Sequence, residues 1–284
     1  MIDSPKMDLT QFIVDALKED IGDGDHTSLA SIPSNTQGKA KIYAKEEGVI
    51  AGIELAEQIF HTADDSLHIS SVAADGDHVR NGDTLMEVSG NTLSILKAER
   101  LVLNCMQRMS GIATLTHKMV KLLDGLDTKI LDTRKTTPGF RYIEKWAVRI
   151  GGGVNHRFGL YDMIMIKDNH IDFSGGIANA IQNTQAYLKE HNKELHICIE
   201  ARNLSDVAEI LDQGDVNRIM LDNFSVEQLK EAVEQIQGKY ETEATGGINF
   251  DTIRSYAETG VDYVSVGALT HSAGSLDISL IAID

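Results

Sequence analysis

Cysteine is scarce in this chain: Cys105 and Cys198 are the only two in 284 residues. Each sits inside an apolar helix-like or strand-like pattern, so buried free thiols are expected rather than a disulfide scaffold or a metal pair. Basic residues are also outnumbered, with 26 Lys and Arg against 43 Asp and Glu and a formal charge of −17. That balance argues against nucleic acid and against anionic membrane surfaces as partners. No uncharged apolar run reaches the roughly 18 residues of a membrane span, and the opening MIDSPKMDLT lacks the basic-then-apolar order of a secretory leader. A soluble, cytoplasmic globular protein is expected, long enough for one large α/β barrel or for two domains.

What is present begins with an amphipathic helix over residues 8 to 20, where Leu9, Phe12, Ile13, Ala16 and Leu17 recur at helical spacing and Asp8 stands at the N-cap position. The following IGDGDHTS contains Asp23, Asp25 and His26 but not the remaining positions of a calcium loop, and reads as a polar turn. From Gly38 to Gly90, short apolar segments broken by Gly and Asp predict a small sheet with one helix around Glu54 to His61. The hairpin-like DGDHVRNGDTLMEVSG is similar to sheets of the biotinyl-carrier type, yet no lysine stands at the tip to carry a prosthetic group. After Asn91 an apolar pattern of helical period runs for about eight turns, with Ser94 as its cap, Gly111 as a point of interruption, and Met106, Met109 and Met119 as core filler.

From Thr128 onward a short β-branched run ends in polar residues and a helix-like stretch follows, again and again. KILDTRK, MIMIKDN, HICIEAR, RIMLDN, YETEATGG and DYVSVGA are the clearest strand ends. Alternation of this kind implies parallel strands and a barrel whose C-terminal strand ends meet at one face. That face would collect Asp132, Arg134 and Lys135, then Lys167 and Asp168, then Glu200 and Asp222, and lastly the glycines of TGGI and VGAL. Gly246, Gly247 and Gly267 allow backbone N–H groups to approach a phosphate closely, although tight strand-to-helix turns would require glycine as well.

In this acidic chain DTRKTTPGFR packs Arg134, Lys135 and Arg141 into one Gly/Pro-punctuated stretch, and Lys145, Arg149, His156, Arg157 and Lys167 follow. A ligand with several negative charges is implied. Lys145 and Arg149, four apart around Trp146 on a helix, read as packing or solvated charges; Arg134, Lys135, His156, Arg157 and Lys167 fall in strand-end loops.

AERLVLNCMQRMSGIAT, DTRKTTPGFR, EKWAVRIGGGVNHRFGLYDMIMIKDNH, IMLDNF, EATGGIN and GVDYVSVGALTHSAGSLDISL together resemble the quinolinate phosphoribosyltransferases, in order from about Glu19 to the C-terminus. The resemblance implies reaction of quinolinate with phosphoribosyl pyrophosphate to give nicotinate mononucleotide, pyrophosphate and carbon dioxide, with Mg2+, in NAD biosynthesis. It implies that Arg134, His156, Arg157 and Lys167 bind quinolinate carboxylates and neighbouring phosphates, with Lys135 beside them. Arg100 would reach the active site of a partner subunit in a homodimer. Glu200 and Asp222 would hold the ribose hydroxyls and a hydrated magnesium, and Thr245, Gly246, Gly247, Val266, Gly267 and Ala268 would cradle the 5-phosphate. Lys135, Glu200 and Asp222 are the expected catalytic residues.

The fold implied is an N-terminal α/β open-faced sandwich followed by an incomplete, seven-stranded α/β barrel. On this reading residues 1–113 form the first domain with its bridging helix, 114–270 the barrel, and 271–284 a segment that returns to the first domain. Two positions depart from the family pattern: Thr245 stands where serine is expected, and Arg202 where an acidic residue is more usual. The alternatives are a related phosphoribosyltransferase-like enzyme acting on another heterocyclic acid, and a carrier or binding module with a degenerate barrel.

Overall fold

The computed structural model describes residues 8–284, so the leader reading of MIDSPKMDLT falls mostly outside the described residues. The chain opens with α1 (Leu9–Ile21), where Asp8 caps by accepting from the backbone N–H groups of Thr10 and Gln11. Next comes α2 (His26–Ser31), a short helix that the turn reading of IGDGDHTS passed over. The Asp25 carboxylate caps it at Ser28 N, so this aspartate serves backbone donors rather than a metal. Then follow β1 (Gln37–Ala44), β2 (Gly48–Val49), α3 (Ile53–Ala63), β3 (His68–Ser71), β4 (His78–Val79), β5 (Thr84–Asn91) and the long α4 (Thr92–Lys121).

The second half alternates: β6 (Lys129–Leu131), α5 (Arg141–Ile150), β7 (Ile164–Ile166), α6 (Asp168–Ser174), α7 (Ile177–Glu190), β8 (Ile197–Ala201), α8 (Leu204–Gln213), β9 (Arg218–Asp222), α9 (Val226–Ile236), β10 (Glu241–Thr245), α10 (Ile253–Ala257), β11 (Tyr263–Ser265), α11 (Ala268–His271) and β12 (Ile278–Ile283). All six strands anticipated after Thr128 are present.

Among the described residues, contacts divide the chain into two units. One comprises residues 8–117, 137–152 and 272–284; the other comprises 118–136 and 153–271. In the first, an antiparallel sheet runs in the order β12-β1-β5-β3. The terminal strand pairs along β1 from Ala44↔Ile278 to Lys39↔Ile283. Two expectations for α4 are corrected here. Its cap is Asn91, whose Oδ1 accepts from Leu93 N at 3.0 Å and Ser94 N at 3.3 Å, while the Ser94 hydroxyl donates to Asp64 at 2.7 Å. Gly111 does not interrupt the helix; a Cβ there would overlap the Gly274 carbonyl oxygen, so glycine lets the C-terminal segment cross the helix closely.

That crossing is secured by Arg108, which donates to Glu144 Oε1 through Nε (3.0 Å) and Nη2 (2.8 Å) and to the Ala273 carbonyl through Nη1 (2.6 Å). Lys145 beside Glu144 is fully buried, in keeping with a packing role.

The second unit is a parallel sheet ordered β6-β11-β10-β9-β8-β7. Val154 adds a single parallel bridge to Leu131 on the other side of β6, where a seventh strand would lie. The register Glu200↔Met220 and Met220↔Glu243 puts alternate residues of β8, β9 and β10 on one inward face. Cys105 and Cys198 are both free and buried.

Candidate active site

The strand ends of the parallel unit surround a cavity of about 700 Å³. Arg134 and Lys135 enter from the loop after β6, His156 and Arg157 from the segment before β7, and Lys167 from the end of β7. Asp222 lies at the end of β9, Thr245, Gly246 and Gly247 after β10, and Gly267 and Ala268 after β11. Three anticipated residues stand apart from this lining. Val266 is 1% exposed and belongs to the core; Arg100 is exposed on α4 in the other unit; Glu200 reaches the site through an ion pair, its Oε2 lying 3.3 Å from Lys167 Nζ.

The basic wall is only partly matched by protein acceptors. Arg157 is 8% exposed and its Nη1 donates to the Met163 carbonyl at 3.2 Å, but its Nε and that of Arg134 are buried without a hydrogen-bond partner. Burial, and then the like charge of Arg134, depress the pKa of the Arg157 guanidinium. Two guanidinium groups held this way leave donors unsatisfied until an anion arrives. Lys135 is fixed through its main chain, where its N–H donates to Thr133 Oγ1 (3.1 Å) and its carbonyl accepts from Thr270 Oγ1 (2.7 Å).

The opposite wall is built from turns. Gly246 and Gly247 have φ of +99° and +63°, so the backbone geometry itself calls for glycine. A Cβ on Gly246 would also run into Asn223, whereas the space beside Gly247 is open. Gly267 is tight for another reason, since a Cβ there would lie 3.1 Å from Lys135 Cδ and 3.2 Å from the His271 ring. Asp222 accepts from Asn223 Nδ2 at 2.7 Å.

Sequence reasoning missed Asn223, Ser265, His271 and Glu243, and gave Asp132 a place at a strand end but no role. Asp132 is fully buried and accepts from His156 N (2.8 Å) and Asn155 Nδ2 (2.5 Å). Glu243 lines the cavity floor and is also fully buried. Burial pushes its carboxyl upward, but His156, Arg218 and Ser265 outweigh that and hold it down to about 2. The alternation of Glu241, Glu243 and Thr245 in an otherwise buried strand was the available signal.

Arg202, the unusual residue after Glu200, donates through Nη1 to Asp172 and through Nε to Asp206, both at 3.0 Å. It joins α6 to α8 and does not line the cavity.

Residues 25–110 match the N-terminal domain and residues 112–281 the C-terminal domain of quinolinate phosphoribosyl transferase. The chain belongs to the quinolinate phosphoribosyltransferase family. Among curated members of that family, it is 47% identical over 291 residues to the Arabidopsis thaliana nicotinate-nucleotide pyrophosphorylase [carboxylating], covering 97% of this chain and 83% of the relative. It is 42% identical to the probable nicotinate-nucleotide pyrophosphorylase of Bacillus subtilis, over 92% of this chain and 89% of that one. The crystal structure of NadC from Streptococcus pyogenes superposes with a TM-score of 0.92 at 39% identity, over 99% of this chain and 100% of the other. The α/β architecture, an antiparallel sheet unit plus a parallel barrel-like unit, is therefore that of the quinolinate phosphoribosyltransferase family. No helix of the described residues is long and apolar enough to cross a membrane.

Proposed function

We propose that this protein transfers the phosphoribosyl group of phosphoribosyl pyrophosphate to the ring nitrogen of quinolinate, releasing pyrophosphate and carbon dioxide and forming nicotinate mononucleotide for NAD biosynthesis. One observation carries the reading: Arg134 and the buried Arg157, each with an Nε that no protein acceptor meets, line one cavity together with Lys135 and Lys167. Such a wall suits a planar substrate with two adjacent carboxylates, because guanidinium forks bind carboxylates at two points. His156 shares the same wall. The glycine turns at Gly246, Gly247 and Gly267, flanked by Thr245, Val266 and Ala268, suit the 5-phosphate.

On this reading the protein mainly positions and neutralises. As pyrophosphate departs, the sugar C1 gains positive character, favoured by the carboxylates of Glu200 and Asp222, while Lys135 takes up leaving-group charge. The ring nitrogen attacks C1; the pyridinium that results stabilises the electron pair left on C2 as the adjacent carboxylate departs as carbon dioxide, and C2 then takes up a proton from water to give nicotinate mononucleotide. No side-chain nucleophile is required.

Glu200 and Asp222 fit a magnesium site: they are hard oxygen donors on the neighbouring strands β8 and β9. No group of three or more His, Cys, Asp or Glu among the described residues is placed to hold a metal alone. They would therefore hold a hydrated Mg2+ together with substrate oxygens, and the ion would supply charge neutralisation on the leaving pyrophosphate.

The functional unit on this reading is a cytoplasmic homodimer in which exposed Arg100 enters the partner's site. Mixing Arg100→Ala with Lys135→Ala protein tests that arrangement, since recovered activity requires a shared site. The reaction itself is tested by incubating the protein with quinolinate, phosphoribosyl pyrophosphate and magnesium, with nicotinate in parallel. Nicotinate mononucleotide and carbon dioxide from quinolinate alone support the assignment; folded protein that yields no product overturns it and directs the search to other heterocyclic acids.

A further inference from the structure

Beneath the cationic wall lies a charged network that the reaction as described does not use. Arg218 on β9 donates to Glu241 Oε2 through Nε (3.0 Å) and Nη2 (2.8 Å), and through Nη1 to Glu243 Oε2 (3.0 Å). Its guanidinium stacks 4.1 Å from the centre of the Tyr263 ring, and the Tyr263 hydroxyl donates to Glu241 Oε1 at 3.2 Å. Glu243 also accepts from the Ser265 hydroxyl. Glu241 alone would serve Arg218, so the pairing of Arg218 does not by itself explain a second, wholly buried carboxylate. Burying such a charge is costly, and a well-packed apolar residue is often as stable in its place.

Glu243 has one further partner. Its Oε2 lies 3.1 Å from His156 Nε2, and the other ring nitrogen, Nδ1, faces the backbone N–H of Arg157 at 2.6 Å. A ring nitrogen that receives an N–H must offer a lone pair, which places the imidazole proton on Nε2 and directs it to Glu243. The same short segment is tied at its other end, where Asp132 accepts from His156 N and Asn155 Nδ2. The backbone carrying Arg157 is thereby held from two sides.

We infer that Glu243 is a positioning residue for the acid substrate: by fixing the Nε2–H tautomer of His156, it holds the backbone from which Arg157 presents its guanidinium to the cavity. Its influence reaches substrate through Arg157. This inference rests on the quinolinate reading for its kinetic consequences but not for its structural core.

The test has two arms. In the first, protein labelled with 15N at histidine is observed without substrate, and His156 is assigned by its loss in His156→Gln. The neutral Nε2–H tautomer is expected; an imidazolium or an Nδ1–H tautomer overturns the inference. This arm needs no turnover, so it stands even if quinolinate proves not to be the substrate, and it needs no Glu243 variant to fold.

In the second arm, Glu243→Gln is expected to raise KM for quinolinate about tenfold, the scale of one lost hydrogen bond to a charged group. KM for phosphoribosyl pyrophosphate and kcat should stay within about twofold, a split that general loosening of the barrel would not give. If folding suffers, Glu243→Gln with Arg218→Met removes both buried charges and serves in its place. In a His156→Ala background the Glu243 substitution should add nothing to KM. An equal rise in that background, or unchanged KM in a folded variant, refutes action through His156.

Discussion

Replacing Arg157 with methionine separates what the active site needs from what the fold needs. The side chain is almost wholly buried and makes one protein hydrogen bond, to the Met163 carbonyl. Met165 and Met220 also line the cavity, so an unbranched thioether is at home among its neighbours. Losing that one bond costs about 1 kcal/mol. Against it, the substitution removes a charge whose burial and proximity to Arg134 disfavour its protonated form. The sign follows from the lowered pKa: the charged state, the one present at neutral pH, is the one the folded protein disfavours, so stability should hold or rise.

We expect a melting temperature unchanged or raised by about 2 °C, the response of a domain of this size to a fraction of a kcal/mol. Activity should move the other way. If Arg157 makes two charge-assisted bonds to a carboxylate at about 1.5–3 kcal/mol each, kcat/KM falls by about two to four orders of magnitude. Thermal unfolding with and without quinolinate, beside steady-state kinetics, reads both quantities. A melting temperature that falls by more than about 4 °C together with activity would make Arg157 a structural residue and refute the argument that the site stores like-charge repulsion for its ligand.

Gly111→Ala should cost about 1–3 kcal/mol, the range for overpacking, because its Cβ meets the Gly274 carbonyl; urea unfolding measures this, and a neutral result would show that the crossing is slack. Arg202→Ala breaks two partly exposed ion pairs and should lower stability by less than about 1 kcal/mol while leaving kcat/KM unchanged. Native protein should resist thiol reagents until denaturant is added, since burial lifts Cys105 to about 12 and Cys198 well above the usual thiol range; rapid labelling of either would contradict the packing. Glu243 contributes stability above the ordinary carboxylate range that is lost as pH falls from about 4 towards about 2, so part of the acid unfolding transition should vanish in a folded Glu243→Gln variant.

The parallel strands were legible because each is a short apolar run between helical stretches, and buried parallel strands must be apolar on both faces. The cations at their ends were legible because charge is conspicuous there in an acidic chain. Glu243 was hidden by the same logic: inside YETEATGG it looks like one of several surface acids, and only the neighbouring strands reveal that it faces Arg218 and His156. Asp132 was visible as a strand-end acid, but its service to the backbone of residues 155 and 156 depends on a contact between segments far apart in sequence. Ser94 read as the cap because serine is a good cap residue, but the strand before the helix sets the register of its start and puts Asn91 there. Gly111 read as a break because glycine weakens helices; its reason lies with Gly274, which no periodicity could connect to it.

The pairing of β12 with β1 joins strands that are made far apart in time, β1 before every strand of the parallel unit and β12 after all of them. During synthesis, β1 has only β5 beside it until residues 278–283 leave the ribosome, so the antiparallel unit stays unfinished after every strand of the parallel unit has emerged. The order of completion along the polypeptide is thus inverted, with the earlier-made unit waiting on residues 278–283. A chain arrested after His271 should show protease-resistant parallel strands and a protease-sensitive amino-terminal half; equal protection of both halves would show that β12 closes a sheet already formed.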